Sequence, residues 1–350
     1  MRALRRISAA IVGSVFFLAA ILKLMDPVGS GLVVEEYFKF FHTLFLLPTA
    51  KVVGIGMAFV ECVTGAALLT DAWHRITGIV TGAIIGFFTI ITLILWIANP
   101  VMDCGCFGEA VHLTHAQSFI KNVVLAGLWT LAFIPLNAPN KATRYRYVGF
   151  AISVLSVALF LVHSLRSIPM MDYTPLAPGE EIMQPDDEYL TDAAMLSFCN
   201  AEGEYADSLV FGNNLMIASV YDPDKLSEAN LDRIETFVVE AREAGFIPLV
   251  LAAASPDEPG ILASKPETAG SLYFADRRTL MTLNRSNGGA TYISDGEIVA
   301  KWGVRYIPDS GTMKELAVTD ATAAMAEQTA KPRMRLQAFL LYVFAVMLLF

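Results

Sequence analysis

Two cysteines separated by one glycine, in Asp103-Cys104-Gly105-Cys106-Phe107-Gly108, are the residues of this chain best suited to covalent chemistry. At that spacing their Cα atoms can approach to about 6 Å, within the range a disulfide tolerates. Gly105 permits the unusual dihedrals that so small a ring requires. A strained, exposed disulfide has a higher reduction potential than a buried structural one and is easily exchanged. Both thiols are expected to be exposed, and the sequence does not decide which one attacks. Asp103 is a poor activator, because a neighbouring carboxylate disfavours the thiolate, but it is suited to accepting a proton. Two other readings use the same residues: structural thiols bonded elsewhere, one of them to Cys199, or metal ligands joined by His112 and His115. Zinc sites usually show wider cysteine spacing, and Thr114 reads instead as a helix cap, so no metal is expected.

A second candidate is Glu61, in Phe59-Val60-Glu61-Cys62 within an apolar stretch. A carboxylate at membrane depth is costly and functional by default. Lys23 either pairs with it or snorkels to the interface. Cys62 reads as a small apolar residue.

These residues sit in a chain of 350 residues that is 55% hydrophobic and only 17% charged, against about 25% charged in an average soluble domain; its mean hydropathy is +0.52. Residues 166–333 hold 27 acidic against 13 basic side chains, a net of −14, while the remainder carries a net of +5. That split excludes a single soluble enzyme, a disordered chain and a nucleic-acid binder. Five apolar stretches precede the acidic region, near Ile7–Met25, Val52–Thr70, Ile76–Ala98, Ala116–Leu136 and Val148–Leu165. Each is long enough for a hydrocarbon core of roughly 30 Å. The first reads as a span rather than a signal peptide, because its apolar run passes Ala20 without a polar cleavage region. A sixth, Leu336–Phe350, is short, and is either a complete span or one cut before its natural end.

Arg2, Arg5 and Arg6 place the N-terminus in the cytoplasm, and the 71–75 turn and the loop with Lys141, Arg144 and Arg146 fall on the same side. Loop 26–51, loop 99–115 and residues 166–333 then face outward. After an acid- and proline-rich linker, the exported region alternates strand and helix. Strands are predicted at Met195–Cys199, Tyr205–Phe211, Leu215–Tyr221, Phe246–Ala253 and Leu272–Phe274, with a hairpin of Ala290–Ser294 and Ile298–Trp302 around Asp295-Gly296. Leu226–Ala244 reads as an amphipathic helix, a short helix opens at Ser255-Pro256, and Arg278–Asn284 forms a helical turn. This is the thioredoxin-like order of elements without its cysteine pair: the corresponding segment reads Asp222-Pro223-Asp224-Lys225-Leu226-Ser227, and Cys199 reads as a hairpin or core residue.

The membrane half resembles the DoxX-like superfamily, in particular its methylamine utilisation MauE branch. Lys23-Leu24-Met25-Asp26-Pro27, Glu61, Asp103-Cys104-Gly105-Cys106-Phe107-Gly108, and Leu113-Thr114 leading into Lys121-Asn122 carry the resemblance over roughly 1–136. The C-terminal region is similar to the degenerate thioredoxin-like domain attached to some bacterial DoxX-like proteins, on Arg285-Ser286-Asn287-Gly288-Gly289, Asp295-Gly296 and Lys301-Trp302, with Gly288 where thioredoxins place a cis-proline. The resemblance implies an α-helical membrane bundle, a DoxX-like four-helix core plus additional spans, with an exported α/β thioredoxin-like domain. Its expected divisions are a membrane domain at 1–136, a fifth transmembrane helix at 137–168, a linker at 169–190, a periplasmic domain at 191–332 and a C-terminal helix at 333–350.

The implied function is that of a bacterial inner-membrane protein serving thiol–disulfide exchange or maturation of periplasmic partners; the paired thiols on the oxidising side add the reading of a membrane thiol–disulfide oxidoreductase, with Cys104, Cys106, Asp103 and Glu61 as candidate site residues. Its expected partners are the lipid bilayer, exported thiol proteins, and a quinone or another membrane redox partner as electron acceptor. The alternative is a non-enzymatic scaffold in which the acidic domain binds an exported partner and the cysteine pair is a local staple. A third reading, a small-molecule or proton pathway, rests on Glu61 and on membrane glycines that serve more often as helix-packing contacts.

Overall fold

The computed structural model describes residues 2–134, 144–183, 195–258 and 260–349. Lys141, the end of the fourth apolar stretch at 135–136 and residues 184–190 of the linker lie outside the described residues. The chain divides into two compact units, Met1–Arg166 with Leu336–Phe350, and Ser167–Arg335.

The first unit is helical: α1 (Arg2–Met25), α2 (Pro27–Phe40), α3 (Ala50–Thr70), α4 (His74–Ala98), a short strand β1 (Cys106–Glu109), α5 (His115–Phe133) and α6 (Arg144–Ser164). Segment 26–51, expected as a plain outward loop, instead holds α2. The chain breaks after Met25 because Asp26 caps the new helix, its carboxylate accepting from Gly29 N at 2.9 Å, and Pro27 takes the first helical position, where a missing N–H costs nothing. The Ser30 hydroxyl donates to the orphaned Lys23 carbonyl at 2.7 Å, tying α2 to the end of α1.

Small residues set the helix spacing. A side chain at Gly65 would meet Phe17 N at 2.7 Å and Gly13 O at 2.9 Å, so α1 and α3 cross backbone to backbone, as apolar helices do where dispersion contacts replace the hydrophobic effect. Gly78 and Gly82 similarly admit the rings of Phe133 and Trp129, and the Trp129 indole donates to Gly78 O at 2.7 Å. Gly56 and Gly86 have nothing within 4 Å, so the packing role expected of membrane glycines does not extend to these two. Arg146 pairs with Asp71 at 2.6 Å, and Arg5 donates to Ile134 O at 2.6 Å. The starts of α1 and α6, the α3–α4 turn and the end of α5 therefore share one end of the bundle.

The second unit carries one six-stranded sheet of β2 (Phe198–Cys199), β3 (Asn214–Val220), β4 (Ile247–Ala252), β5 (Leu272–Ala275), β6 (Gly289–Ser294) and β7 (Glu297–Trp302), in the order β2-β5-β4-β3-β6-β7. β3 runs parallel to β4 and antiparallel to β6. Side chains alternate across β3: Met216, Ala218 and Val220 pack with Ile234 and Phe237 of α7 (Glu228–Glu243), and Leu215 and Ile217 pack on the opposite face with Leu280 and Leu283. The remaining helices are α8 (Pro266–Ala269), α9 (Arg277–Leu283), α10 (Ser310–Val318) and α11 (Ala321–Leu349). Two local expectations fail. Tyr205–Phe211 gives a single bridge from Tyr205 to Cys199 and then a 3₁₀ turn at Asp207–Val210, because the Asp207 carboxylate turns back to take Phe198 N at 2.7 Å. No helix opens at Ser255-Pro256; Ser255 bridges Glu258 and helical turns begin at Gly260.

Among the described residues, six helices are long and apolar enough to cross a membrane, which makes this a multi-pass membrane protein. The last begins well before the apolar stretch at Leu336, because the preceding segment carries five alanines over residues 321–335, the best helix formers, and continues through Pro332, with Lys331 paired to Glu327 one turn away.

The packing of α1 on α3 makes a paired prediction. Gly65→Ala lowers the thermal midpoint of the detergent-solubilised protein, because a methyl group collides with backbone. Gly56→Ala, with open space around it, leaves or raises the midpoint, by about 0.5–1 kcal/mol of backbone entropy at most.

Candidate functional site

The cysteines lie where the chain leaves α4 and returns into α5. Thr114 caps α5 in a reciprocal box with Gln117, fixing one end of the loop. Tyr37 on α2 fixes its middle, donating to the Cys104 carbonyl at 2.8 Å. Gly105 has φ +59°, and any side chain there would collide with Val33 of α2. The glycine between the cysteines is therefore demanded by both backbone conformation and close approach.

The two thiols are not equivalent. Cys104 is buried, and its Sγ lies 2.7 Å from the Ser118 hydroxyl on α5; Cys106 is half-buried. The expectation that both are exposed fails for Cys104, because α2 and α5 close over the loop. A hydrogen bond from Cys104 pulls the Cys106 thiol down to about 5, against the cost of burial and with help from the ammonium groups of Lys121 and Lys23. The same contact, with burial, pushes Cys104 well above the ordinary thiol range. The shared contact thus polarises the pair, favouring the thiolate on Cys106 and the thiol on Cys104. Low-pKa thiolates beside cations are the reactive ones.

A cavity of about 450 Å³ opens beneath this loop among α1 to α5. Its polar lining comprises Lys23, Glu61, Lys121, Asn122 and the two cysteines, with Tyr37, Ser30, Thr43 and Thr92; the rest is apolar, including Phe16, Phe38, Phe87 and Phe88. Lys23 holds both Glu61 oxygens, at 2.9 and 2.7 Å, which decides the pairing-or-snorkelling question. Lys23 and Lys121 also sit over the rings of Phe88 and Phe107 at 5.7 and 5.0 Å. Asn122 donates to Thr92 at 3.1 Å.

Of the four residues singled out in the sequence, Cys104, Cys106 and Glu61 line this one cavity. Asp103 does not; it is exposed and meets His112 Nδ1 at 2.9 Å, away from the cavity lining. His115 turns instead to Pro100 O at 3.1 Å. Sequence reasoning missed Tyr37 and Ser118. Lys121 carried a readable signal, a cation two turns inside a membrane helix; Tyr37 carried none, since nothing in the sequence showed that α2 would fold against the loop.

In the second unit the segment after β3 forms a 3₁₀ turn at Pro223–Lys225, and Ser227 caps α7. Gly288 has φ +80° and donates its amide to Ser219 O at 2.7 Å; proline could do neither. Cys199 lies on β2 against Phe274. Asn284 is buried and donates to Ala290 O at 2.9 Å.

Residues 1–136 match the family model described as Methylamine utilisation protein MauE, a range that contains every polar group lining the cavity. Among curated proteins, Protein TlpB of Flavobacterium psychrophilum is 23% identical over 165 residues, 45% of this chain and 43% of that protein. The chain thus spans less than half the length of that relative. No solved structure matches.

Lys121→Met removes one of the cations that favour the Cys106 thiolate. The pH profile of Cys106 alkylation by iodoacetamide, followed by peptide mass spectrometry, is expected to move to higher pH than in the wild type. An unmoved profile contradicts the assigned role of Lys121.

Proposed function

We propose that this chain is a bacterial inner-membrane protein of the DoxX/MauE type that exchanges disulfides with exported proteins through Cys104 and Cys106. The carrying observation is the asymmetric pair: Cys104 is buried with its Sγ 2.7 Å from the Ser118 hydroxyl, and the more accessible Cys106 lines the same cavity as Lys23 and Lys121. The match over residues 1–136 supports the family reading. The end of the bundle bearing Arg5, Arg75 and Arg146 is read as cytoplasmic on the positive-inside rule, which sets the cysteine loop outside, where disulfides persist.

In the oxidised pair a client thiolate attacks Cys106 Sγ, the more accessible sulfur. The Cys104–Cys106 bond breaks with its electron pair on Cys104, where the Ser118 hydroxyl can donate to the new thiolate. A second client thiolate then displaces Cys106, so the client leaves with a disulfide and the pair is reduced. Glu61 acts here through Lys23, as a positioning residue. Asp103, exposed and held by His112, is a proton acceptor at the loop surface in this scheme.

The acidic unit is proposed as a thioredoxin-like docking domain at 191–332. Its β3–α7–β4 crossover followed by the β6–β7 hairpin supports that reading, and the absent cysteine pair and the geometry of Gly288 argue against redox chemistry there.

Cys104→Ser, expressed in a bacterial membrane, is expected to accumulate mixed disulfides on Cys106, seen as higher-mass bands that dithiothreitol collapses. Cys106→Ser is expected to accumulate far fewer, Cys104 being buried. If neither variant traps a partner, exchange is not the function. If the double Cys→Ser variant keeps cellular function while deletion of 172–332 abolishes it, the scaffold reading replaces this one.

A further inference from the structure

The cavity has a composition that thiol exchange with a protein does not require. Its polar groups are two ammonium groups, of which Lys23 is paired with the Glu61 carboxylate, an amide, the cysteine pair and a few hydroxyls, while the rest of the lining is aromatic and aliphatic. Among the lining residues Phe87, Met57 and Phe41 are 54%, 36% and 40% exposed. Phe87 and Met57 lie within spans, so these walls are shared between the cavity and the lipid-facing surface. The shape suits a molecule with a polar ring and an apolar tail that arrives through the bilayer. Ligand sites have this character, mostly apolar with a few convergent polar groups.

We infer that this cavity is the docking site of a lipid-borne quinone, with the head group between Lys23, Lys121 and the Cys104–Cys106 pair and the isoprenoid tail leaving past Phe87. This rests on the exchange reading above and names its electron acceptor. A phospholipid or fatty acid would fill the apolar part but gives no role to two sulfurs in the wall. A quinone accepts the two electrons that closing a disulfide releases. The step balances as follows. The Cys106 thiolate and the Cys104 thiol form the S–S bond, and two electrons pass to the quinone. The Cys104 proton and one proton from the aqueous side reach its two oxygens, and hydroquinone departs. Lys23 and Lys121 face the oxygens on which negative charge develops, as preorganised charge should. Loss of the thiolate on oxidation leaves those ammonium groups with less negative charge beside them, which favours holding an electron-rich ring until protonation is complete.

The test uses the full chain, purified in detergent, reduced, freed of reductant and mixed anaerobically with ubiquinone-1. The expected result is one ubiquinol formed and one Cys104–Cys106 disulfide closed per chain, followed by quinone absorbance and by alkylation mass spectrometry. Met57→Trp, which fills the cavity from its lipid side without touching a sulfur, is expected to slow the reaction roughly tenfold or more. A photoreactive azidoquinone is expected to label α3 or α4 in the wild type and to be displaced by ubiquinone-1, a readout that survives if the tryptophan variant fails to fold. No ubiquinol from wild-type protein whose Cys104→Ser variant still traps clients overturns the quinone site and leaves exchange standing. Loss of both overturns both. Co-purified phospholipid or fatty acid in the cavity that ubiquinone-1 does not displace also overturns the inference.

Discussion

Charge balance inside an apolar bundle is the constraint on which the site depends. Two lysines, Lys23 and Lys121, line a cavity that also holds Glu61 and the polarised cysteine pair. An isolated ion in such a medium is costly, and removing one partner of a buried pair commonly destabilises by about 3–5 kcal/mol. Glu61 answers Lys23 directly, and a Cys106 thiolate, favoured first by the Cys104 hydrogen bond and then by the two lysines, adds negative charge beside them. Chemistry and stability are therefore coupled: oxidising the sulfurs withdraws one of the two anions and changes the field that the cavity presents.

The rest of the first unit maintains that arrangement. The glycine contact between α1 and α3 brings Lys23 to Glu61, and the Asp26 cap and Pro27 turn α2 back over the bundle. Tyr37 then reaches the Cys104 carbonyl, and the Thr114–Gln117 box starts α5 where Ser118 meets Cys104 and Lys121 approaches Cys106. Each is a local backbone or capping preference, and together they hold the Cys104–Gly105–Cys106 segment against two helices.

Much of this was readable from residue types. Apolar stretches and basic clusters located five of the six membrane helices closely, since hydropathy over about 20 residues reports the hydrocarbon thickness directly. The cysteine pair announced itself by its spacing around a glycine, and Glu61 as a carboxylate at costly membrane depth. What escaped was tertiary. Helix α2 was hidden because Val28-Gly29-Ser30-Gly31 lowers helix propensity, and its capping and packing outweigh that preference. With α2 missing, neither the burial of Cys104 nor the hydrogen bond from Tyr37 could be foreseen, and the pairing of Asp103 with His112 was likewise unread. In the acidic unit the order of strands and helices was legible, whereas Tyr205–Phe211 was misread because Asp207 takes a side-chain bond that ends the strand.

The central claim is that Cys106 is a thiolate at neutral pH. Thiolate ultraviolet absorbance, titrated on the intact reduced protein and on Cys106→Ser, tests it most directly. The account predicts a single-thiolate rise in the wild type with a midpoint at about 5, absent from Cys106→Ser. A wild-type curve that rises only in the ordinary cysteine range, near about 8.5, would contradict it.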